Sequence, residues 1–167
     1  MAVLHKAPAL WLAALAFFCS PASAADNSVV GTWALQSWVS TDTETGATVD
    51  VFGKQPTGYL IYTAGGHMAV VLSADGRAKL SSDRFNSPVD ERAKAFSTHV
   101  AYVGTYTLTN DGIMHHVKAA SFQNWVDTEQ FRYVEVKGDT MTIKTPPLQG
   151  PPDGKMKVTT LVLKRLD

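Results

Sequence analysis

The chain of 167 residues has a single cysteine, Cys19, so it cannot be a disulfide-stapled scaffold or carry a multi-cysteine metal site. Charge is also scarce: charged residues make up 18%, and 15 basic side chains balance 15 acidic ones. A neutral chain argues against nucleic-acid binding, which depends on neutralising phosphates. No apolar run approaches the roughly 20 residues that a helix needs to cross a bilayer. There is no Gly-x-Ser-x-Gly elbow for a serine hydrolase, and no glycine-rich loop to cradle phosphate, since Gly65-Gly66 sits in a hairpin turn. What the chain does have is 45% hydrophobic residues, enough for one packed domain and too little chain for two.

Residues 1–24 read as a secretory signal. Lys6 supplies the positive start, Ala9 to Phe18 form a short apolar stretch, and Ala22-Ser23-Ala24 gives the small-x-small cut site. A lipid-anchored alternative, cut before Cys19, is disfavoured by the bulk of Phe17 and Phe18. Cleavage after Ala24 removes the cysteine and Lys6, leaving a domain over 25–167 with one more acidic than basic residue. The expected address is the bacterial periplasm or the medium, with no membrane-spanning segment after cleavage. Stability must then come from the core alone.

From Val29 onward, short runs of Val, Ile, Thr, Tyr and Trp alternate with Gly, Asp, Asn and Pro, the pattern of an antiparallel β protein. Strands are expected near 30–40, 47–52, 58–64, 67–74, 101–109, 112–120, 128–137, 139–145 and 157–166. Gly-containing turns at Ala64-Gly65-Gly66, Asn110-Asp111-Gly112 and Lys137-Gly138-Asp139 join neighbours as hairpins. Such a meander closes most economically into an up-and-down barrel, which removes exposed edges. One segment departs from the two-residue period. Ser87 reads as an N-cap and Pro88 as the first helical residue, with Asp90 and Glu91 in the first turn. Val89, Ala93, Phe96 and Val100 then form an apolar stripe, predicting a helix near 88–99 packed across one end of the barrel. Residues 146–154, with four prolines, are expected to be a loop near a barrel mouth.

Gly31-Thr32-Trp33 near the start and Leu161-Val162-Leu163-Lys164-Arg165 at the end resemble the Gly-x-Trp strand and closing basic residue of lipocalins and other calycin barrels. The ordered set Gly58 to Thr63, Gly66-His67-Met68, Gly104-Thr105-Tyr106, His115-His116-Val117, Asn124-Trp125 and Gln130-x-Arg132 is similar to the small lipocalin-like domain family. The resemblance implies an all-β barrel with an interior cavity, and no single activity. Leu163 stands where the family leads one to expect an aromatic, which implies a looser barrel base. Trp33 and Arg165 are expected to be structural: a guanidinium stacked on the indole can plug the closed end. Lys164 is the alternative partner if the register slips by one residue.

Strand alternation puts Ile113, His115 and Val117 on one face, and Tyr102, Gly104, Tyr106 and Leu108 on another inward set. Gln130 and Arg132 share a face with Val134 and Val136, so both enter the lumen with His115. A buried Arg needs a carboxylate, water or an anionic ligand. The cluster therefore has three readings. It is a structural hydrogen-bond network, or a binding site for a small hydrophobic or amphipathic molecule, or an acid/base site. The binding site would comprise Tyr59, Tyr102, Tyr106, His115, Trp125, Gln130 and Arg132, with Phe131 as a further wall. In the acid/base site, His115 with Tyr106 and Arg132 would serve a cofactor-free cyclase, isomerase or lyase. No metal or cofactor is expected: His115 and His116 project to opposite sides of a strand, and His67 and His99 lie far off in sequence.

Overall fold

A computed structural model describes residues 28–150 and 153–167. The predicted signal segment and its cut site after Ala24 lie outside the described residues. In chain order the strands are β1 (Gly31–Asp42), β2 (Thr48–Asp50), β3 (Thr57–Tyr62) and β4 (His67–Ser73). After the helix α1 (Val89–Ser97) come β5 (His99–Thr109), β6 (Gly112–Ala120), β7 (Glu129–Lys137), β8 (Thr140–Lys144), β9 (Leu148–Gln149) and β10 (Met156–Arg165). A 3-10 turn at Gln123–Trp125 links β6 and β7. Each of β1, β3, β4, β5, β6, β7, β8 and β10 pairs antiparallel with the next, and β10 returns to β1, closing an eight-stranded barrel. β2 and β9 are short additions to β1 and β10. The expected 146–154 loop therefore contains one two-residue strand.

Trp33 lies directly across from Arg165 in the β1–β10 register, and Lys164 faces Ala34, so the closing cation is Arg165. Its guanidinium carbon sits 4.1 Å from the centre of the Trp33 ring. One nitrogen donates to the Val30 carbonyl at 2.7 Å and another to Ser28, while Trp33 Nε1 donates to the Val29 carbonyl at 2.8 Å. Gly31 is needed here twice over: its φ is +137°, and a Cβ would lie 2.7 Å from Arg165 Nη1. Leu163 is fully buried, paired with Leu35 of β1 on one side and Met141 of β8 on the other, so the aromatic missing at that position leaves no exposed base.

Bulges interrupt the ladders at Gln36 on β1, between Leu35 and Ser37, and at Lys118 on β6, opposite Val103 and Gly104 of β5. An extra residue bends a strand and reverses which side chains face inward beyond it. Trp33 and Leu35 are buried before the first bulge, and Trp38 faces the interior after it.

Two features of the helix differ from expectation. Pro88, not Ser87, occupies the capping position, and there is no side-chain cap. The Ser87 hydroxyl instead donates to the Asp83 carbonyl and accepts from the Ser82 N–H. The stripe of Val89 and Phe96 is exposed, and α1 buries none of its residues. A rival face wins: Arg77 donates to the Ala95 carbonyl, and Ser81 donates to the Glu91 carboxylate through both its N–H and its hydroxyl. Among the described residues, no helix is long and apolar enough to cross a membrane.

Candidate functional site

Beyond the first bulge the barrel widens into a cavity of about 440 Å³. Leu60, Val70, Leu72, Ile143 and Leu161 give it apolar walls, and Trp38 and Trp125 add flat aromatic ones. Pro146 and Leu148, from the segment before β10, lie at its lining together with Glu129, whose side chain is largely exposed. Polar groups are concentrated on β5, β6 and β7: Tyr102, His115, Gln130 and Arg132.

His115 is the most enclosed of them, at 1% exposure. Its Nε2 is hydrogen-bonded to the Tyr62 hydroxyl at 2.6 Å, and its Nδ1 to the Tyr102 hydroxyl at 3.1 Å. Burial, followed by the nearby Arg132 guanidinium and the His116 ring, lowers its pKa to about 3. The ring is therefore neutral at neutral pH. Burial also raises the Tyr62 phenol well above its ordinary value, and raises Tyr102 despite the opposing pull of Arg132. All three groups are uncharged, and each nitrogen of the ring already has a partner. At pH 7 the ring is a neutral imidazole whose one N–H stays within this network, not a group poised near neutrality as the acid/base reading expects.

Arg132 is half-buried. One guanidinium nitrogen donates to the Phe131 carbonyl at 2.8 Å and another to Gln130 Oε1 at 2.6 Å. Among the described residues no carboxylate lies within 4.0 Å of it; Glu129, on the same strand, pairs with His116 instead. Because Gln130 presents its oxygen to Arg132, its amide nitrogen is left as a donor. Gln130 and Arg132 thus set hydrogen-bond donors side by side on β7, with Glu129, Thr145 and Thr159 as the other polar residues of the lining besides Tyr102 and His115.

The structure brings Tyr102, His115, Trp125, Gln130, Arg132 and Phe131 to the cavity, and separates two residues from it. Tyr59 is 51% exposed on the outer face of β3, where it neighbours Val71 of β4. Tyr106 packs edge-on against Tyr62, and its hydroxyl donates to the Thr63 carbonyl at 2.9 Å, so it neither lines the cavity nor reaches His115 as a hydrogen-bond partner. Sequence reasoning missed Tyr62, the third member of the buried network. Its signal was the alternation Leu60–Tyr62 against Tyr59–Ile61, but both pairs are apolar and the period alone does not choose between them. It also missed Trp38, which the bulge carries inward.

The lipocalin-like domain family model matches residues 30–166. A relative in Aspergillus oryzae, the 4'-hydroxy-3'-methoxypropiophenone carrier protein ppsC, is 29% identical over 87 residues, which cover 47% of this chain and 78% of that one. Among solved structures, a lipocalin-like protein from Bacteroides uniformis aligns over 83% of this chain and 99% of its own, at 9% identity and a TM-score of 0.44. An uncharacterized protein from Bacteroides eggerthii aligns over the same shares at 16% identity and a TM-score of 0.40. Superpositions this loose leave the assignment to the sequence model. With a match spanning nearly the whole described barrel, the chain belongs to the lipocalin-like domain family.

Proposed function

We propose that this barrel is a carrier, exported by the segment 1–24, that holds one small, mainly apolar molecule in its cavity. The molecule's oxygen-bearing group faces Arg132 and Gln130. The observation that carries this reading is Arg132: a half-buried guanidinium lining a mainly apolar cavity, without a carboxylate partner among the described residues. Such a charge is costly unless something else satisfies it, and an acceptor on a ligand does so. The cavity volume is in the range of small-molecule sites. The relative named as an aryl-ketone carrier supports the same reading, since its ligand is a compact aromatic carrying oxygen acceptors. The neutral, doubly hydrogen-bonded His115 favours holding a molecule over transforming it. Export is checked by the mass of the secreted chain, which should begin at Ala25.

The test is a titration with 4'-hydroxy-3'-methoxypropiophenone, followed by quenching of Trp38 and Trp125 fluorescence. Arg132→Leu should weaken binding by roughly 10- to 100-fold, the worth of a hydrogen bond to a charged group. The fold should be unharmed or slightly stabilised, because a buried charge is removed. Unchanged affinity would remove the polar anchor from this reading. If no apolar molecule binds and the Leu variant is clearly less stable, the polar cluster is structural.

A further inference from the structure

The three hydroxyl and ring groups of the buried network can be assigned a direction. The Tyr62 side chain is 1% exposed, and its hydroxyl has one hydrogen-bond partner among the described residues, His115 Nε2 at 2.6 Å. A phenol hydrogen enclosed this way has nowhere else to go, so leaving it unbonded would cost the full desolvation of a buried donor. Tyr62 therefore donates, and Nε2 accepts. A neutral imidazole carries one N–H, so that hydrogen sits on Nδ1 and is donated to the Tyr102 oxygen, 3.1 Å away. The low pKa of His115 removes the alternative in which both nitrogens are protonated.

The consequence falls on Tyr102. Its oxygen is the acceptor within the network, so its own hydrogen is released from His115, and Tyr102 is the one of the two tyrosines that lines the cavity. The Arg132 guanidinium beside it is also a pure donor. We propose that Tyr62, His115 and Tyr102 form a directional relay that turns the Tyr102 hydroxyl hydrogen into the cavity, so that the bound molecule presents a carbonyl or carboxylate oxygen to Tyr102 and Arg132 together. An alcohol is disfavoured there, because it brings a hydrogen of its own to a point where Tyr102 and Arg132 both donate. Tyr62 is then a specificity-determining residue that never touches the ligand. This ligand class rests on the carrier reading; the tautomer does not.

Two measurements separate them. In the ligand-free protein, nitrogen-15 chemical shifts and couplings of the His115 ring should report the Nδ1–H tautomer, and Tyr62→Phe should shift the population toward Nε2–H, since Nε2 then loses its donor. An Nε2–H ring in the unaltered protein overturns the relay, whatever the cavity binds. For the ligand class, the probes are methyl naphthyl ketone and the alcohol formed by reducing its carbonyl. The ketone should bind roughly tenfold more tightly, a ratio that falls toward one in Tyr102→Phe and severalfold in Tyr62→Phe, while affinity for the alcohol barely moves. Equal binding of the two probes by the unaltered protein overturns the class. If neither probe binds, the carrier reading fails for such ligands, and the tautomer still decides the relay.

Discussion

Trp33→Ala should destabilise the barrel by about 3–5 kcal/mol, the range for deleting a large buried aromatic. The indole is fully buried, and three kinds of contact end at once when it is removed. The cavity left behind strips packing from Leu163 and its neighbours. The Val29 carbonyl loses the donor at 2.8 Å. Arg165 loses the ring it stacks on at 4.1 Å and keeps a half-buried charge held through the Val30 and Ser28 carbonyls. Denaturant unfolding measures the change directly. A midpoint near that of the unaltered protein would mean that this end of the barrel is not what holds it shut.

The second large effect is a dependence on acid. His115 is held at about 3 in the fold, against about 6.5 in an unfolded chain. Above pH 6.5 the ring is neutral in both states, and its burial carries no protonation penalty. As pH falls below 6.5 the unfolded chain takes up a proton that the folded chain refuses, so stability drops with falling pH until about pH 3. The loss from this one group is on the order of 4 kcal/mol. His99, which burial and Arg77 also depress, adds a smaller loss of the same sign in the same window. Asp42, lowered to about 2 by the N–H groups of Thr45 and Glu44, acts only at lower pH. His115→Gln keeps hydrogen bonding but cannot titrate, so its stability should be flatter between pH 6.5 and 4 even though its stability at pH 7 is reduced. Parallel profiles for the two proteins would show that His115 is not buried neutral.

Much of the barrel is legible in the sequence because its strands alternate strongly. In β7, Gln130, Arg132, Val134 and Val136 alternate with Glu129, Tyr133, Glu135 and Lys137, and the charged residues name the outer face. In β6, Ile113, His115 and Val117 are each 1% exposed, and the Asn110-Asp111-Gly112 turn fixes its hairpin with β5. Legibility fails where the local pattern is symmetric or broken. β3 is apolar on both faces, so Tyr59 and Tyr62 look equivalent until β4 sets the register. β1 carries its bulge between Leu35 and Ser37, and a strict two-residue period from Trp33 would send Trp38 outward. The helix has two plausible faces, and hydrogen bonds from Arg77 and Ser81 decide between them from outside the helix. The identity of the polar cluster could be read from β5, β6 and β7; the direction of its hydrogen bonds needed Tyr62, which sits on β3 across the barrel.

The central claim is that the interior cavity, and not the outer surface, receives a small molecule at its Gln130 and Arg132 donors. Nitrogen and methyl chemical-shift mapping on adding an apolar aryl ketone tests it most directly. The expected result is saturable perturbation at the His115 ring, the Trp38 and Trp125 indoles, and Leu72 and Leu161, with Arg132 Nε–H moving downfield. Perturbation confined to the exposed outer face of Tyr59, Ile61, Val71 and Val103, with the His115 ring unmoved at saturation, would contradict it.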